Sequence, residues 1–468
     1  MSSPGKSSEK APEVAAEELP QRPGVERDTI AAIATPAGVG GVGIIRVSGT
    51  KVTDIAGSLC GDTHLRERFA HYREFLDGNG DVIDDGLAIR FTAPRSFTGE
   101  DCLELQCHGG RYVLARLLQR CLELGAREAR AGEFTERAFL NDKIDLVQAE
   151  AIADLIAANS DAAARQAQAS LRGVFSDAVN SLAGDVTALR VYVEAALDFP
   201  DEDVDFLSDG KVAASLESLT AGLQQLLDKA REGALFQAGA QLVLAGKPNA
   251  GKSSLLNVLS GDDVAIVTSI PGTTRDLLKE NIVIGGVPFQ VVDTAGLRTS
   301  DDPIEREGIR RAETAIRDAD ITLLVIDDDA EDSPTTDIES KDSTLLVFNK
   351  IDRSGRSPGF FQHINKDAVA LSVHTGAGID ALKSAILDKL GLQQTTDNRF
   401  SARQRHIHAL ESAREQLEAC RQRFSENGAG ELLAEDLKLI HATLGQITGV
   451  LSSDELLGEI FASFCIGK

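Results

Sequence analysis

The apolar positions along the chain change period several times, and each change marks a change of element. Near the start, Val42-Gly43-Ile44-Ile45-Arg46-Val47 lies between glycine-rich turns. Leu87-Ala88-Ile89-Arg90-Phe91-Thr92 and Leu103-Glu104-Leu105-Gln106-Cys107 alternate apolar and polar residues, the period of a half-buried strand. A helical run, Tyr112 to Leu124, follows, so residues 28–141 read as an α+β domain. From 142 the pattern lengthens. Phe175, Val179, Leu182, Val186, Leu189, Val193 and Leu197 recur every three or four positions, an apolar stripe suited to bundle packing. A second helix carries Leu216, Leu219, Leu223 and Leu226, after a loop with proline and acids at Asp198-Phe199-Pro200-Asp201-Glu202-Asp203.

Helical spacing returns only near 400, with Ile407, Leu410, Leu417 and Phe424, then Leu437, Ile440, Leu444, Ile447 and Leu451. The stretch between, 238–393, consists of short buried strands. The economical reading is a helical domain, 142–237 and 394–468, interrupted by an inserted domain. Two separate helical domains would give the same periodicity.

The inserted stretch carries the chemistry. Gly246-Lys247-Pro248-Asn249-Ala250-Gly251-Lys252-Ser253 follows the apolar run Gln241–Ala245 and precedes a helical run, Ser253 to Leu259. That strand–loop–helix context turns the pattern into a phosphate-binding loop. Its backbone N–H groups, with Ala250, Gly251 and Ser254 among the lining residues, would face phosphate oxygens. Lys252 would reach the β- and γ-phosphates, and the Ser253 hydroxyl would bind Mg²⁺. A glycine-rich strand-to-helix turn is the plain alternative, and three further elements weigh against it. Asp293-Thr294-Ala295-Gly296 ends the strand Phe289–Val292 and would sense the γ-phosphate. Asn349-Lys350-Ile351-Asp352 ends the strand Thr344–Phe348, and Asp352 would accept from the guanine N1–H and exocyclic amine. Ser372-Val373-His374 follows the strand Ala368–Leu371, where GTPases usually carry Ser-Ala-Lys. Four elements in this order point to a GTPase.

The hydrolysis machinery departs from the Ras pattern. Leu297 stands where a glutamine would orient water. Thr268-Ser269-Ile270-Pro271-Gly272-Thr273-Thr274-Arg275-Asp276, a candidate switch I, is rich in hard oxygen donors, with Thr274 as a second Mg²⁺ ligand. With Asn249 it could hold a monovalent cation that neutralises developing charge. From spacing alone Asn249 reads rather as a turn residue, since Pro-Asn is turn chemistry.

Composition narrows the setting. At 468 residues, about two or three domains are expected. A net charge of −25 repels bare polyanions, so a nucleic-acid substrate would need local basic patches or a partner. Six cysteines without paired spacing read as free thiols, which places the protein in the cytoplasm. No run of about 18 apolar residues predicts a membrane span. Residues 1–27, rich in Ser, Pro, Glu and Ala, read as a disordered tail and not a targeting peptide.

Beyond the GTPase elements, Asp28-Thr29-Ile30, Ala34-Thr35-Pro36, Ser96-Phe97-Thr98-Gly99-Glu100-Asp101, Gly132 through Asn141, Gln148 through Asp154, and the terminal Phe464-Cys465-Ile466-Gly467-Lys468 complete a pattern. The chain resembles the bacterial tRNA uridine-modification GTPases, a family also found in mitochondria, and does so over all but its tail. The resemblance implies a multidomain α/β and α fold: an N-terminal folate-binding-like domain that dimerises, a discontinuous helical bundle, and an inserted Ras-like P-loop GTPase domain. It implies a heterotetramer of this homodimer with an FAD-dependent partner. Together they would add an aminomethyl or carboxymethylaminomethyl group at C5 of the wobble uridine of certain tRNAs. The carbon would come from a tetrahydrofolate derivative, 5-formyl- or methylene-tetrahydrofolate. It further implies K⁺-dependent G-domain dimerisation, with K⁺ held by Asn249, Thr268, Ile270 and Thr273, and Glu305 orienting water in place of the missing glutamine. Folate would be held by Arg46, Glu104, Lys143 and Lys468; on sequence alone Glu104 reads rather as an outward strand carboxylate and Lys143 as a solvated helix charge.

Cys465 is a lone thiol beside Gly467-Lys468. It fits either a nucleophile toward the uracil ring or an imine, or a small residue packing the last helix. A ribosome-assembly GTPase would share the Leu297 and Asn249 features, but such proteins usually append a basic domain. A folate-sensing dimer with a vestigial GTPase is hard to reconcile with intact Lys252, Asp293, Asn349 and Asp352.

Overall fold

The computed structural model describes residues 28–198, 210–261, 279–293, 317, 319–329, 343–392, 400–450 and 454–467. The chain divides into two compact units, Met1–Asp145 with Asp454–Lys468, and Leu146–Ser453.

The first unit is built on a six-stranded sheet. Its strands are β1 (Ile30–Ile33), β2 (Gly43–Ser48), β3 (His71–Leu76), β4 (Val82–Phe91), β5 (Cys102–Cys107) and β6 (Arg127–Glu128), in the order β3-β4-β5-β2-β1-β6. Helices α1 (Val52–Cys60) and α2 (Arg111–Glu123) cover one face. Strand alternation decides what points there. Ala31, Ile45, Val47, Leu103 and Leu105 join the core under the two helices. Ile30 and Ala32, on the other face, pack with Ala129 and with Phe134 of α3 (Glu133–Leu140). Arg46 and Glu104 are register partners between those core positions, which puts them on the face with Phe134.

The C-terminal helix Asp454–Ala462 groups with this unit. The reason is aromatic. Phe461 packs on Phe139, with ring centroids 6.2 Å apart, and on Phe464 at 5.6 Å. Beyond the helix, Ile466 bridges Ala131, and Gly132 N–H donates to the Cys465 carbonyl at 3.3 Å. Gly467 has φ +92°, and a Cβ there would sit 2.4 Å from the Ile33 carbonyl oxygen, so only glycine closes this end against β1.

The second unit begins with α4 (Leu146–Ala157), α5 (Asp161–Leu171), α6 (Val174–Asp198) and α7 (Lys211–Ala238). The stripe on α6 is buried from Phe175 to Val193, and Leu197 packs at its margin. Leu410, Leu417 and Cys420 of the helix Gln404–Asn427, and Leu437, Ile440 and Leu444 of the helix Gly430–Thr448, enter the same core. Both halves of the helical sequence thus bury their stripes against each other.

Between α7 and the helix Gln404–Asn427 lies a seven-stranded sheet. Its strands are β7 (Ala240–Ala245), β8 (Lys279–Ile284), β9 (Val287–Asp293), β10 (Ile321–Asp327), β11 (Thr344–Asn349), β12 (Gly359–His363) and β13 (Lys366–Ala370), in the order β12-β13-β11-β10-β7-β9-β8. β7, β9, β10, β11 and β13 are parallel, and the edge strands β8 and β12 run antiparallel to their neighbours. Parallel strands buried on both faces explain the unbroken apolar runs Leu242-Val243-Leu244 and Leu345-Leu346-Val347.

Candidate functional site

The parallel strands deliver the sequence elements to one edge, because ligand-binding loops of such sheets leave the carboxyl ends of the strands. The phosphate loop follows β7 and leads into α8 (Lys252–Ser260). Asp293 ends β9 in register with Leu244, Asn349 ends β11, and Ser372 follows β13. Thr268, Ser269, Ile270, Pro271, Gly272, Thr273, Thr274, Thr294, Ala295, Gly296 and Glu305 lie outside the described residues, as do the Asp293 side chain and Lys468.

Within the loop, Lys252 is 6% exposed, and its ammonium donates to the carbonyls of Gly246 at 2.7 Å and Lys247 at 3.1 Å. Its charge is therefore held across the loop, where phosphate would pass. Ser253 and Ser254 are exposed in the first turn of α8, and no side chain caps Gly251. A free hydroxyl at Ser253 fits a Mg²⁺ ligand. Asn249 is exposed with φ +65°, a left-handed conformation that asparagine tolerates in turns. Its backbone therefore has the turn role, and its side chain is presented outward.

Asn349 is the joint of the site. It is 2% exposed; its amide nitrogen donates to the Ala250 carbonyl at 2.9 Å. Its amide oxygen accepts from the N–H groups of Lys350 at 2.8 Å and Val373 at 3.2 Å. One side chain thus ties the phosphate loop to both base-side elements. Lys350 has φ +68°, an unusual value for a side chain of its size, and its ammonium pairs with Asp327 at 2.5 Å. Asp352 is exposed and accepts from the Ser372 hydroxyl at 2.5 Å, the main reason its carboxyl titrates below the ordinary range. His374 is exposed beside Val373, whose backbone makes the contact.

The crowding around Asn349 gives a direct prediction. Gly251 has φ +100°, and a Cβ on it would lie 2.2 Å from the Asn349 amide nitrogen. Gly251→Ala should weaken nucleotide binding by on the order of tenfold or more, since it strains the loop and displaces its joint together. A fluorescence titration with a guanine nucleotide measures this; unchanged affinity would show that the joint can move aside.

In the first unit, Arg46 donates to Glu104 through Nε at 3.1 Å and Nη2 at 2.9 Å. Its guanidinium lies over Phe97 at 5.6 Å and Phe134 at 5.8 Å from the ring centroids. Lys143 is exposed, with its stem beside Gly99 in the Ser96–Asp101 loop that also supplies Phe97. The two aromatic rings are additions that sequence reasoning did not single out, although both lie in the stretches that carry the resemblance. Behind them, Arg137, 4% exposed, bonds Asp28, Glu100 and Glu133. Burial pushes the Glu133 carboxyl up, but Arg127, the Arg130 N–H and Arg137 outweigh it and hold it at about 2.

Cys465 is exposed, and the aromatic residues Phe461 and Phe464 supply the packing at this end. The other five cysteines are buried, and burial pushes the thiols of Cys60, Cys121 and Cys420 up to about 12. Among the described residues no helix is long and apolar enough to cross a membrane.

Comparison with known proteins completes the picture. Residues 29–143 match the family described as the GTP-binding protein TrmE N-terminus, and residues 146–465 match the MnmE helical domain. The tRNA modification GTPase MnmE of Pseudomonas aeruginosa (strain UCBPP-PA14) is 52% identical over 451 residues, 94% of this chain and 99% of that one. The protein of the same name from Pseudomonas syringae pv. syringae (strain B728a) is 52% identical over 455 residues, covering 95% and 100%. Among solved structures, the G domain of the T. maritima FeoB iron transporter is 24% identical, covers 32% of this chain and 98% of that one, and has a TM-score of 0.24. A strand–loop–helix that holds its lysine across a phosphate path, inside a match spanning both units, leads to one conclusion: the chain belongs to the MnmE family of tRNA modification GTPases and is a GTP hydrolase.

Proposed function

We propose that this GTPase acts with an FAD-dependent partner to place an aminomethyl or carboxymethylaminomethyl group on C5 of the wobble uridine of certain tRNAs, in the cytoplasm. The observation that supports this most is the similarity to tRNA modification GTPases over 94% of this chain and 99% of the relative. Tetrahydrofolate, when bound, would supply the one-carbon unit. Arg46 and Lys143 provide cations for its glutamate tail, Glu104 a carboxylate for the pterin N–H edge, and Lys468 a further cation. Phe97 and Phe134 already hold the Arg46 guanidinium by its face, which leaves its remaining N–H groups for a ligand. The exposed Cys465 is positioned by its backbone and available as a nucleophile.

At the nucleotide site, Lys252 and the loop N–H groups bind the phosphates, Ser253 and Thr274 hold Mg²⁺, and Asp352 reads guanine. Asn249, Thr268, Ile270 and Thr273 are the proposed K⁺ ligands; with Glu305 they stand in for the group that Leu297 cannot supply. The outward side chain of Asn249 supports this. Two chains would come together through their first units as a homodimer, and with the partner as a heterotetramer.

Two measurements test the reading. GTP turnover should be faster in K⁺ than in Na⁺, and Asn249→Ala should erase the difference; equal rates in wild type reject the cation site. Mass spectrometry of tRNA from a deletion strain should show wobble uridines without the modification, restored by the wild-type gene. Fully modified uridines in that strain reject the tRNA reaction.

A further inference from the structure

Two adjacent acids, Asp327 at the end of β10 and Asp328 just after it, hold opposite ends of the segment that carries Asp352. Asp327 pairs with Lys350, two residues before Asp352. Asp328 accepts from the Ser354 hydroxyl at 2.5 Å, two residues after it, and from Arg356 Nε at 3.0 and 2.9 Å. Arg356 Nη2 adds a contact at 2.9 Å, so the pair is a two-pronged clamp. The Asp328 side chain is only 4% exposed, and its N–H also donates to the Asn349 carbonyl at 2.9 Å. The Arg356 guanidinium lies over two rings, 5.1 Å from the centroids of Phe348 and Phe361, which themselves pack 5.5 Å apart. Phe348 immediately precedes Asn349, and Phe361 belongs to the edge strand β12.

These contacts bracket a very short element. Asp352 sits in a single turn, Ile351–Ser354, entered through the left-handed Lys350 and left through the left-handed Gly355. A single turn has little stability of its own. Asp352 itself is exposed, tied laterally by Ser372 alone among the contacts seen here. Its carboxylate must meet two donors of a planar base, so an error of about an ångström is costly.

We propose that Asp328 and Arg356 are positioning residues for base recognition: their clamp, seated on the packed rings of Phe348 and Phe361, fixes the Ile351–Ser354 turn so that Asp352 can engage both guanine donors. This rests on the reading of Asp352 as the guanine acceptor. It also gives β12, which carries no nucleotide-binding motif, a function as the outer wall of the clamp.

The test uses the full chain and compares GDP with inosine diphosphate, which keeps N1–H but lacks the exocyclic amine. Wild type should prefer GDP by about 10- to 100-fold, the worth of one hydrogen bond to a charged acceptor. Asp328→Asn and Arg356→Ala should collapse that preference by about fivefold or more, because GDP loses two aligned bonds and inosine diphosphate one. Arg356→Lys keeps the charge without the fork or the stacking, and should fall between. It carries the test if Arg356→Ala binds neither nucleotide. A clamp that only supports the fold weakens both nucleotides equally and leaves the ratio unchanged; that result overturns the proposal. Asp352→Asn separates the two claims. If it keeps the wild-type ratio, the base-reading assignment itself fails. If it loses the ratio while the clamp variants keep it, only the clamp fails.

Discussion

Lys252→Ala should lower GTP turnover by on the order of 10²–10³-fold, the scale seen when one preorganised donor is removed from a developing anion. The prediction follows from where the charge is kept. Lys252 is buried at the start of α8, and its ammonium spans the loop to two carbonyls. Those carbonyls hold it in place, so little ordering is needed at the moment of reaction. The substitution removes a cation and leaves the apolar contacts of Leu255, Leu256 and Leu259 in place. The melting temperature should therefore change little while phosphate release nearly stops. A loss of less than about tenfold, or a matching fall in stability, would mean that Lys252 is chiefly structural.

The second large effect lies in the helical part of the second unit. Glu150 is 2% exposed and receives Arg405 as a fork, Nε at 2.7 Å and Nη2 at 2.8 Å. Arg405 also donates to the carbonyls of Gln446 and Ile447 at the end of the helix Gly430–Thr448. Arg403 pairs with Asp154 at 2.6 Å. Arg405→Ala removes the fork from a buried carboxylate, leaving it His406, and should destabilise this unit by about 3 kcal/mol, measured as a shift of the denaturant midpoint.

The same cluster sets an acid limit. Burial pushes the Glu150 carboxyl up, but His406 and Arg405 outweigh it and hold it at about 2. An unfolded glutamate titrates near ~4.3, so this contribution is complete above that pH and is lost as pH falls toward the folded value. His406 Nδ1 accepts from the Arg403 N–H at 3.0 Å, and Nε2 lies 2.9 Å from Glu150. Burial pushes the His406 pKa below its ordinary value despite that carboxylate. The unfolded ring therefore binds its proton first, and stability starts to fall below about pH 6.5. Urea titrations at neutral and mildly acidic pH should show this decline; a flat profile would mean that His406 keeps the same proton affinity in both states.

Much of this was legible along the chain. The stripe from Phe175 to Val193 and the runs before Gly246 and Asn349 show their burial directly, because a period of three to four or an unbroken apolar run has few other uses. The nucleotide elements were legible for a different reason. A phosphate loop needs glycine, lysine and serine at set intervals, and those intervals are local. β10 carries no such motif, although it ends in Asp327 and leads directly into Asp328.

The order of elements, their burial patterns and the type of nucleotide chemistry were determined by residues near one another in the chain. The tertiary structure alone decided which distant groups meet. It placed Asn349 between the phosphate loop and Val373, Arg46 between Phe97 and Phe134, and Arg356 against Asp328. It also sent Cys465 back to Gly132, across more than half of the chain. Spacing encodes periodicity and local hydrogen bonding, whereas these pairings depend on strand order and on which apolar faces close on each other.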